Sequence, residues 1–265
     1  MKVWTIANQK GGVGKTTTSV TLGGLLVRMG MRTLMIDIDP HASLTSYFRY
    51  DPDALEESVY SLFKAVTDKH ALSPDGIIQS TGIEGLDLMP AVMALATLDR
   101  QAGRLEGMGL VLKEALTLLE THYDYAIIDC PPILGVLMIN ALAACERLVI
   151  PVQTEFLALK GLERMLNTLQ MVFKSRRMDL PYTIVPTMYD VRTRASKQSL
   201  KLLRESHAEH IWQGLIPIDT RFRDASRAGV PPDTFDPNAR GVVAYDRLLQ
   251  YLQQGHRQRV SRLAV

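Results

Sequence analysis

Short apolar runs alternate with amphipathic stretches along most of the chain, which is the pattern of a mostly parallel, twisted sheet with helices on both faces. The runs predict strands at residues 3–7, 33–38, 125–129, 148–152 and 182–185, and a short one near Leu215. Between the first two lies GKTTTSVTLGGLLVRMG, where Val20, Leu22, Leu25 and Leu26 suit a helix packed on the sheet and Gly30 suits its end. Residues 50–122 are less regular. DALEESVYSLFKAV puts Leu55, Val59, Leu62, Phe63 and Val66 on one helical face, and GLVLKEALTLLETHY repeats that pattern before the strand at 125–129. Between them GLDLMPA reads as a short strand ended by Pro90. With no repeat, low-complexity tract or long linker, a single α/β domain over residues 1–265 is expected.

Composition narrows the setting. At 46% hydrophobic residues in 265, the chain can bury a large core. Cys130 and Cys145 are too few for a disulfide framework and form no C-x-x-C pair, so a reduced, cytoplasmic protein is expected. KVWTIA follows Met1 directly, without the layout of a signal peptide. The longest apolar run, GVLMINALAACERLVIPV, is interrupted by Asn140, Glu146 and Arg147, so no membrane span is expected. Net charge is only +2, but residues 1–159 hold 12 Lys and Arg against 18 Asp and Glu, while residues 160–265 hold 18 against 10. A basic C-terminal part fits an anionic partner, and it also fits scattered solvated charge.

The candidate chemistry begins in ANQKGGVGKTTTS. Gly14-Lys15-Thr16 matches the end of a phosphate-binding loop, yet Gln9 stands where the first glycine usually does, and a second lysine, Lys10, precedes Gly11, Gly12 and Val13. A strand before the loop and a helix after it give the context in which backbone N–H groups at a helix start cradle phosphate. Gly11 to Thr17 are then the nucleotide-binding residues, with Lys15 reaching the β- and γ-phosphates and the Thr16 hydroxyl bound to Mg²⁺. LMIDIDPHAS and YDYAIIDCPP end two strands in carboxylates, Asp37, Asp39 and Asp129, at the sheet edge where open α/β proteins bind ligands. Asp129 has the form of a Walker B carboxylate.

These motifs resemble the ParA branch of the ParA/MinD ATPases. KGGVGKTT is similar to the deviant Walker A box of that family, and DIDP, IDCPP, VIPVQTE, PTMYDVRT and IPIDTRFRDA follow in its order, so the resemblance covers nearly the whole chain. It implies a P-loop NTPase fold, ATP and Mg²⁺ as cofactors, and slow hydrolysis in an ATP-dependent homodimer. On this resemblance Lys10 crosses the dimer interface to the other subunit's nucleotide, which makes it catalytic together with Lys15. Asp39 would orient the attacking water, while Asp37 and Asp129 would hold Mg²⁺ through water.

The ParA branch binds DNA non-specifically, and the matching basic residues are Arg192, Arg194, Lys197, Lys201, Arg204, Arg221 and Arg223, of which Lys197, Lys201 and Arg204 share one helical stripe. A solvated helix face would carry the same charges. A ParB-like or other protein that stimulates hydrolysis is the implied partner, and the implied location is nucleoid-associated or polar. Where many ParA proteins read DPQGN, this chain reads Asp39-Pro40-His41-Ala42-Ser43, followed by Ser46-Tyr47-Phe48, a form that resembles the ParA-like proteins positioning chemotaxis arrays. No additional N-terminal DNA-binding domain is expected. QQGHRQRVSRLAV has a glycine break at Gly255 and few large apolar residues, which argues against a MinD-like membrane helix. Cys130 and Cys145 read as buried thiols rather than ligands of an iron–sulfur cluster. A nucleotide-gated protein scaffold that binds no DNA is the alternative.

Overall fold

The computed structural model describes residues 1–98, 108–176 and 179–263. Strands β1 (Lys2–Ile6), β2 (Thr33–Asp37), β3 (Gln79–Ile83), β4 (Leu86–Met89), β5 (Tyr125–Asp129), β6 (Arg147–Gln153) and β7 (Tyr182–Thr187) form one sheet in the order β3-β4-β2-β5-β1-β6-β7. Every pairing is parallel except that of β3 with β4. The described α-helices are α1 (Lys15–Arg28), α2 (Ser43–Tyr47), α3 (Val59–Thr67), α4 (Val111–Leu118), α5 (Val136–Ala144), α6 (Phe156–Arg176), α7 (Arg194–Ser206), α8 (Arg221–Ala228), the four-residue α9 (Pro232–Phe235) and α10 (Arg240–Leu263).

Alternation along the strands divides the core between the two faces. Trp4, Ile6, Tyr125, Ile127 and Val149 pack with Leu22, Leu25 and Leu26 of α1 and with Val242, Tyr245 and Leu249 of α10. Leu34, Ile36, Ala126, Ile128 and Ile150 face α3, α4, α5 and α6 on the other side. Helix α1 ends as its sequence requires: Gly30 takes a φ of 80°, the N–H of Gly30 reaches the Val27 carbonyl at 2.8 Å, and that of Met31 reaches Leu26 at 3.1 Å. Two orphan carbonyls are satisfied in this way.

Four expectations change. No strand forms near Leu215; instead Ile211 bridges Ile184 and Pro217 bridges Tyr189, each as an isolated pair, because a proline cannot donate to a ladder. The seventh strand is β3, QSTGI, which lacks apolar alternation and is held at the sheet edge by pairing with β4 across an irregular register between Ser80 and Ile83. Helix α3 starts at Val59 rather than near residue 54, since Ser58 and Ser61 form a capping box there and Leu55 stays outside. Gly255 does not break the last helix, whose backbone continues to Leu263; one glycine costs roughly 1 kcal/mol, too little to stop a helix of good formers. Ala264 and Val265 of that final stretch lie outside the described residues. Among the described residues, no helix is long and apolar enough to cross a membrane.

Candidate functional site

Because β5 lies between β1 and β2, the loops after these three strands meet at one sheet edge. Asp129 is paired with Ile6 on one side and with Asp37 on the other. The β1–α1 loop turns through Gly12 at φ 72° and Gly14 at φ 89°, a region costly for other residues. A Cβ added at Gly11 or Gly12 would meet no protein atom within 4 Å, so the space over the loop is open. The loop is anchored at Val13, whose carbonyl accepts the Thr187 hydroxyl at 2.9 Å. Above it lies a cleft of about 810 Å³, bordered by Gly11, Gly12, Gly14, Lys15, Thr16, Thr17 and Asp39.

The two lysines diverge. Lys15 is buried, borders the cleft, and has its Nζ 3.4 Å from the Lys10 carbonyl. Lys10 is tied in place by its N–H to Asn8 Oδ1 at 2.9 Å, while Asn8 donates to the Pro151 carbonyl at 2.7 Å. Its ammonium pairs with the Glu155 carboxylate just beyond β6 and lies 3.5 Å from Gln153 Oε1.

Three carboxylates follow. Asp129 accepts the Thr16 hydroxyl on Oδ2 at 2.6 Å and the Ser19 hydroxyl on Oδ1 at 3.0 Å. Asp37 accepts the Asp39 N–H on Oδ1 at 3.0 Å, and both the N–H and hydroxyl of Thr45 on Oδ2 at 2.8 Å. Burial above all, with Asp129 nearby, pushes Asp37 up to about 8. Burial likewise raises Asp129 to about 6, although Thr16, Ser19 and Lys15 pull it down. Two neighbouring carboxylates under such strain favour a cation beside them. Among the described residues no group of three or more His, Cys, Asp or Glu could cage a metal alone. Hard oxygens from Thr16 and Asp129 beside an open phosphate cradle fit Mg²⁺, which takes most of its shell from phosphate and water.

Sequence reading did not single out Asn8, Thr45 or Glu155. Nor did it find the far wall of the cleft, to which Tyr47, Met188, Phe222 and Arg227 contribute. Single residues in loops, as Asn8, Glu155 and Met188 are, or in helices as short as α2 and α8, carry little periodic signal, and only the fold brings them together. The basic residues separate. Lys197 and Lys201 project from α7, whose Ser196, Leu200 and Leu203 face inward. Arg194 is exposed at the start of the same helix, and Lys201 approaches Glu205 at 3.7 Å. Arg204 leaves the expected stripe: it is half-buried and donates to the Gln213 carbonyl. Arg192 forms a two-pronged pair with Asp190 at 2.9 and 2.8 Å, and Arg221 pairs with Asp236 at 3.3 Å. Arg223 borders the nucleotide cleft.

A parallel sheet with a glycine-rich loop, lysine and threonine at its central strand, flanked by strand-end carboxylates, defines a P-loop NTPase. Residues 1–182 match the model of a family described as an AAA domain. The chain is 40% identical over 245 residues to the sporulation initiation inhibitor protein Soj of Bacillus subtilis (strain 168), covering 92% of this chain and 95% of that protein. It is 33% identical over 267 residues to the chromosome partitioning protein ParA of Caulobacter vibrioides (strain NA1000 / CB15N), covering 100% of this chain and 98% of that one. A crystal structure of cobyrinic acid a,c-diamide synthase from Mycobacterium smegmatis with bound ADP and magnesium superposes with a TM-score of 0.81 at 32% identity, over 97% of this chain and 95% of that one. The chain belongs to the ParA/MinD family of deviant Walker A ATPases.

Proposed function

We propose that this protein is a Mg²⁺-dependent ATPase that dimerises with ATP and positions intracellular cargo, releasing its track when a ParB-like or other partner stimulates hydrolysis. The carrying observation is the split of the two lysines, one in the cleft and one turned out beside it. Similarity to the chromosome partitioning protein ParA, and to a structure holding ADP and magnesium, supports the coarse reading. Ile133, Phe156 and Leu157 remain largely exposed, and Phe156 and Leu157 follow Glu155 directly, as a contact face for a second copy requires.

In this reading the backbone of Gly11 to Thr17 and the Lys15 ammonium hold the triphosphate, and Lys10 leaves Glu155 to reach the nucleotide of the other subunit. Thr16 would hold Mg²⁺, with Asp129 and Asp37 holding it through water, and the ion would supply positive charge to the β- and γ-phosphate oxygens. Asp39 orients water. An Asp is a weak base, so positioning is its contribution and turnover is slow. Basic residues of α7 meet DNA phosphates without reading bases, which gives a nucleoid-bound or polar protein whose cargo is a chromosome, a plasmid or a protein array.

The second reading is a nucleotide-gated protein scaffold without DNA binding. What favours it is that Arg192, Arg204 and Arg221 are already engaged within the chain. Asp39→Ala decides the catalytic part: ATP and Mg²⁺ stay bound, so the variant accumulates as an ATP-loaded dimer on size-exclusion chromatography with light scattering. A variant that hydrolyses ATP at the native rate moves the catalytic assignment elsewhere.

A further inference from the structure

The six carboxylate oxygens of Asp37, Asp39 and Asp129 are not equivalent. Five accept hydrogen bonds from the protein. Among the described residues, none donates to the sixth, Oδ2 of Asp39. Its partner oxygen is doubly held: Asp39 Oδ1 accepts the His41 N–H at 3.0 Å and lies 2.9 Å from His41 Nδ1. A carboxylate oxygen accepts in such a contact, so the imidazole tautomer with its hydrogen on Nδ1 is the one that completes it. The Asp39-Pro40-His41-Ala42 turn makes this contact possible. Its Ala42 N–H reaches the Asp39 carbonyl at 2.8 Å, Ala42 sits at φ 52°, and the chain folds the imidazole back over Asp39. Both side chains border the nucleotide cleft, with Asp39 13% and His41 73% exposed.

A carboxylate with neither oxygen held rotates about its last torsion and offers either oxygen to water. Two donors on one oxygen remove that freedom. We propose that His41 is a positioning residue for phosphoryl transfer: its Nδ1–H, together with its own backbone N–H, pins Asp39 Oδ1 so that Oδ2 alone meets the attacking water. The inference rests on the ATPase reading of Asp39. Water oxygen bonds to the γ-phosphorus, the bond from that phosphorus to the bridging oxygen breaks, ADP leaves with the electron pair, and the water protons end on phosphate and solvent. His41 takes none of them.

The test is single-turnover hydrolysis of MgATP by the full chain, with nucleotide affinity and ATP-dependent dimerisation measured in parallel. His41→Ala keeps the backbone donor and loses the imidazole, so the single-turnover rate constant falls about tenfold while nucleotide Kd and dimerisation stay within about twofold. His41→Asn places an amide N–H where Nδ1 stood, and its rate recovers to within about threefold of the parent. In the Asp39→Ala background, His41→Ala has no further effect, because nothing is left to position. His41→Ala turning over at the parent rate overturns the proposal, as does a loss of nucleotide affinity, or His41→Asn being as slow as His41→Ala. An Asp39→Ala variant at the native rate would instead sink the ATPase reading of Asp39. An inactive Asp39→Ala beside a fully active His41→Ala removes only the role of the imidazole.

Discussion

Lys10 and Lys15 are separated by four residues, and the loop between them turns their ammonium groups to different surroundings, one against Glu155 and one into the cleft. Losing either has a different expected effect. Lys15→Ala removes the buried cation from a site that must hold a triphosphate, and charge-assisted contacts to phosphate are the strong ones. Nucleotide binding, followed by fluorescence of a labelled ATP, should be abolished. Lys10→Ala leaves the cleft lining intact, so binding should stay within about threefold while ATP-dependent dimerisation and hydrolysis are lost. Light scattering that shows Lys10→Ala dimerising normally with ATP rules out the cross-subunit role. The phosphate loop was legible in the sequence because glycine, lysine and threonine are fixed there by backbone geometry and charge, and Gly11, Gly12, Gly14, Lys15, Thr16 and Thr17 border the cleft; the roles of the two lysines belong to the proposed function. Glu155, which holds Lys10, was not legible, since one acidic residue after a strand is indistinguishable from a solvated one.

Helix α1 tests how elements fit together. Gly23 and Gly24 stand side by side in its buried stretch, and a glycine inside a helix costs roughly 1 kcal/mol relative to alanine, so propensity alone makes both changes stabilising. Packing separates them. A Cβ at Gly23 would lie 3.1 Å from the Met35 sulfur, the flexible part of a thioether that can shift. At Gly24 it would collide with the Asp233 carboxylate and the Pro231 ring at the start of α9, where the chain is stiff. Gly24→Ala should therefore destabilise the fold by about 1–3 kcal/mol and lower Tm, while Gly23→Ala should change stability by less than about 1 kcal/mol. Thermal melts of the two variants check the contrast, and equal shifts would show that α9 does not press on α1. The same distinction explains what could be read of the fold. Parallel strands buried on both faces, such as YAIID, announce themselves as apolar runs, and β5 matches its expected limits. The edge strand β3 takes its conformation from pairing with β4, a non-local cause that local pattern does not carry.

For the whole molecule, the proposed function couples nucleotide state to DNA binding through geometry. One chain offers a small set of outward cations on α7, Arg194, Lys197 and Lys201, because Arg192, Arg204 and Arg221 are engaged within the chain and Arg223 borders the cleft. A few phosphate contacts bind weakly at physiological salt. In the proposed function an ATP-bound dimer would present two such sets on one body, and the second contact would become effectively intramolecular. Duplex binding should therefore require ATP, ignore sequence, and weaken with salt along a log–log slope of about −0.9 per phosphate neutralised. Lys201→Glu should weaken binding to all duplexes alike and leave dimerisation unchanged, because Lys201 is exposed and, among the described residues, its ion pair is with Glu205. The DNA-patch reading also included Arg223, but its place at the cleft makes Arg223→Glu a different case, one that should impair nucleotide affinity before DNA affinity. Filter binding at low salt with the ATP-locked Asp39→Ala protein is the measurement. If that protein retains no duplex of any sequence, the internal pairing of the arginines has its simplest meaning, and the nucleotide-gated protein scaffold replaces the DNA-bound dimer.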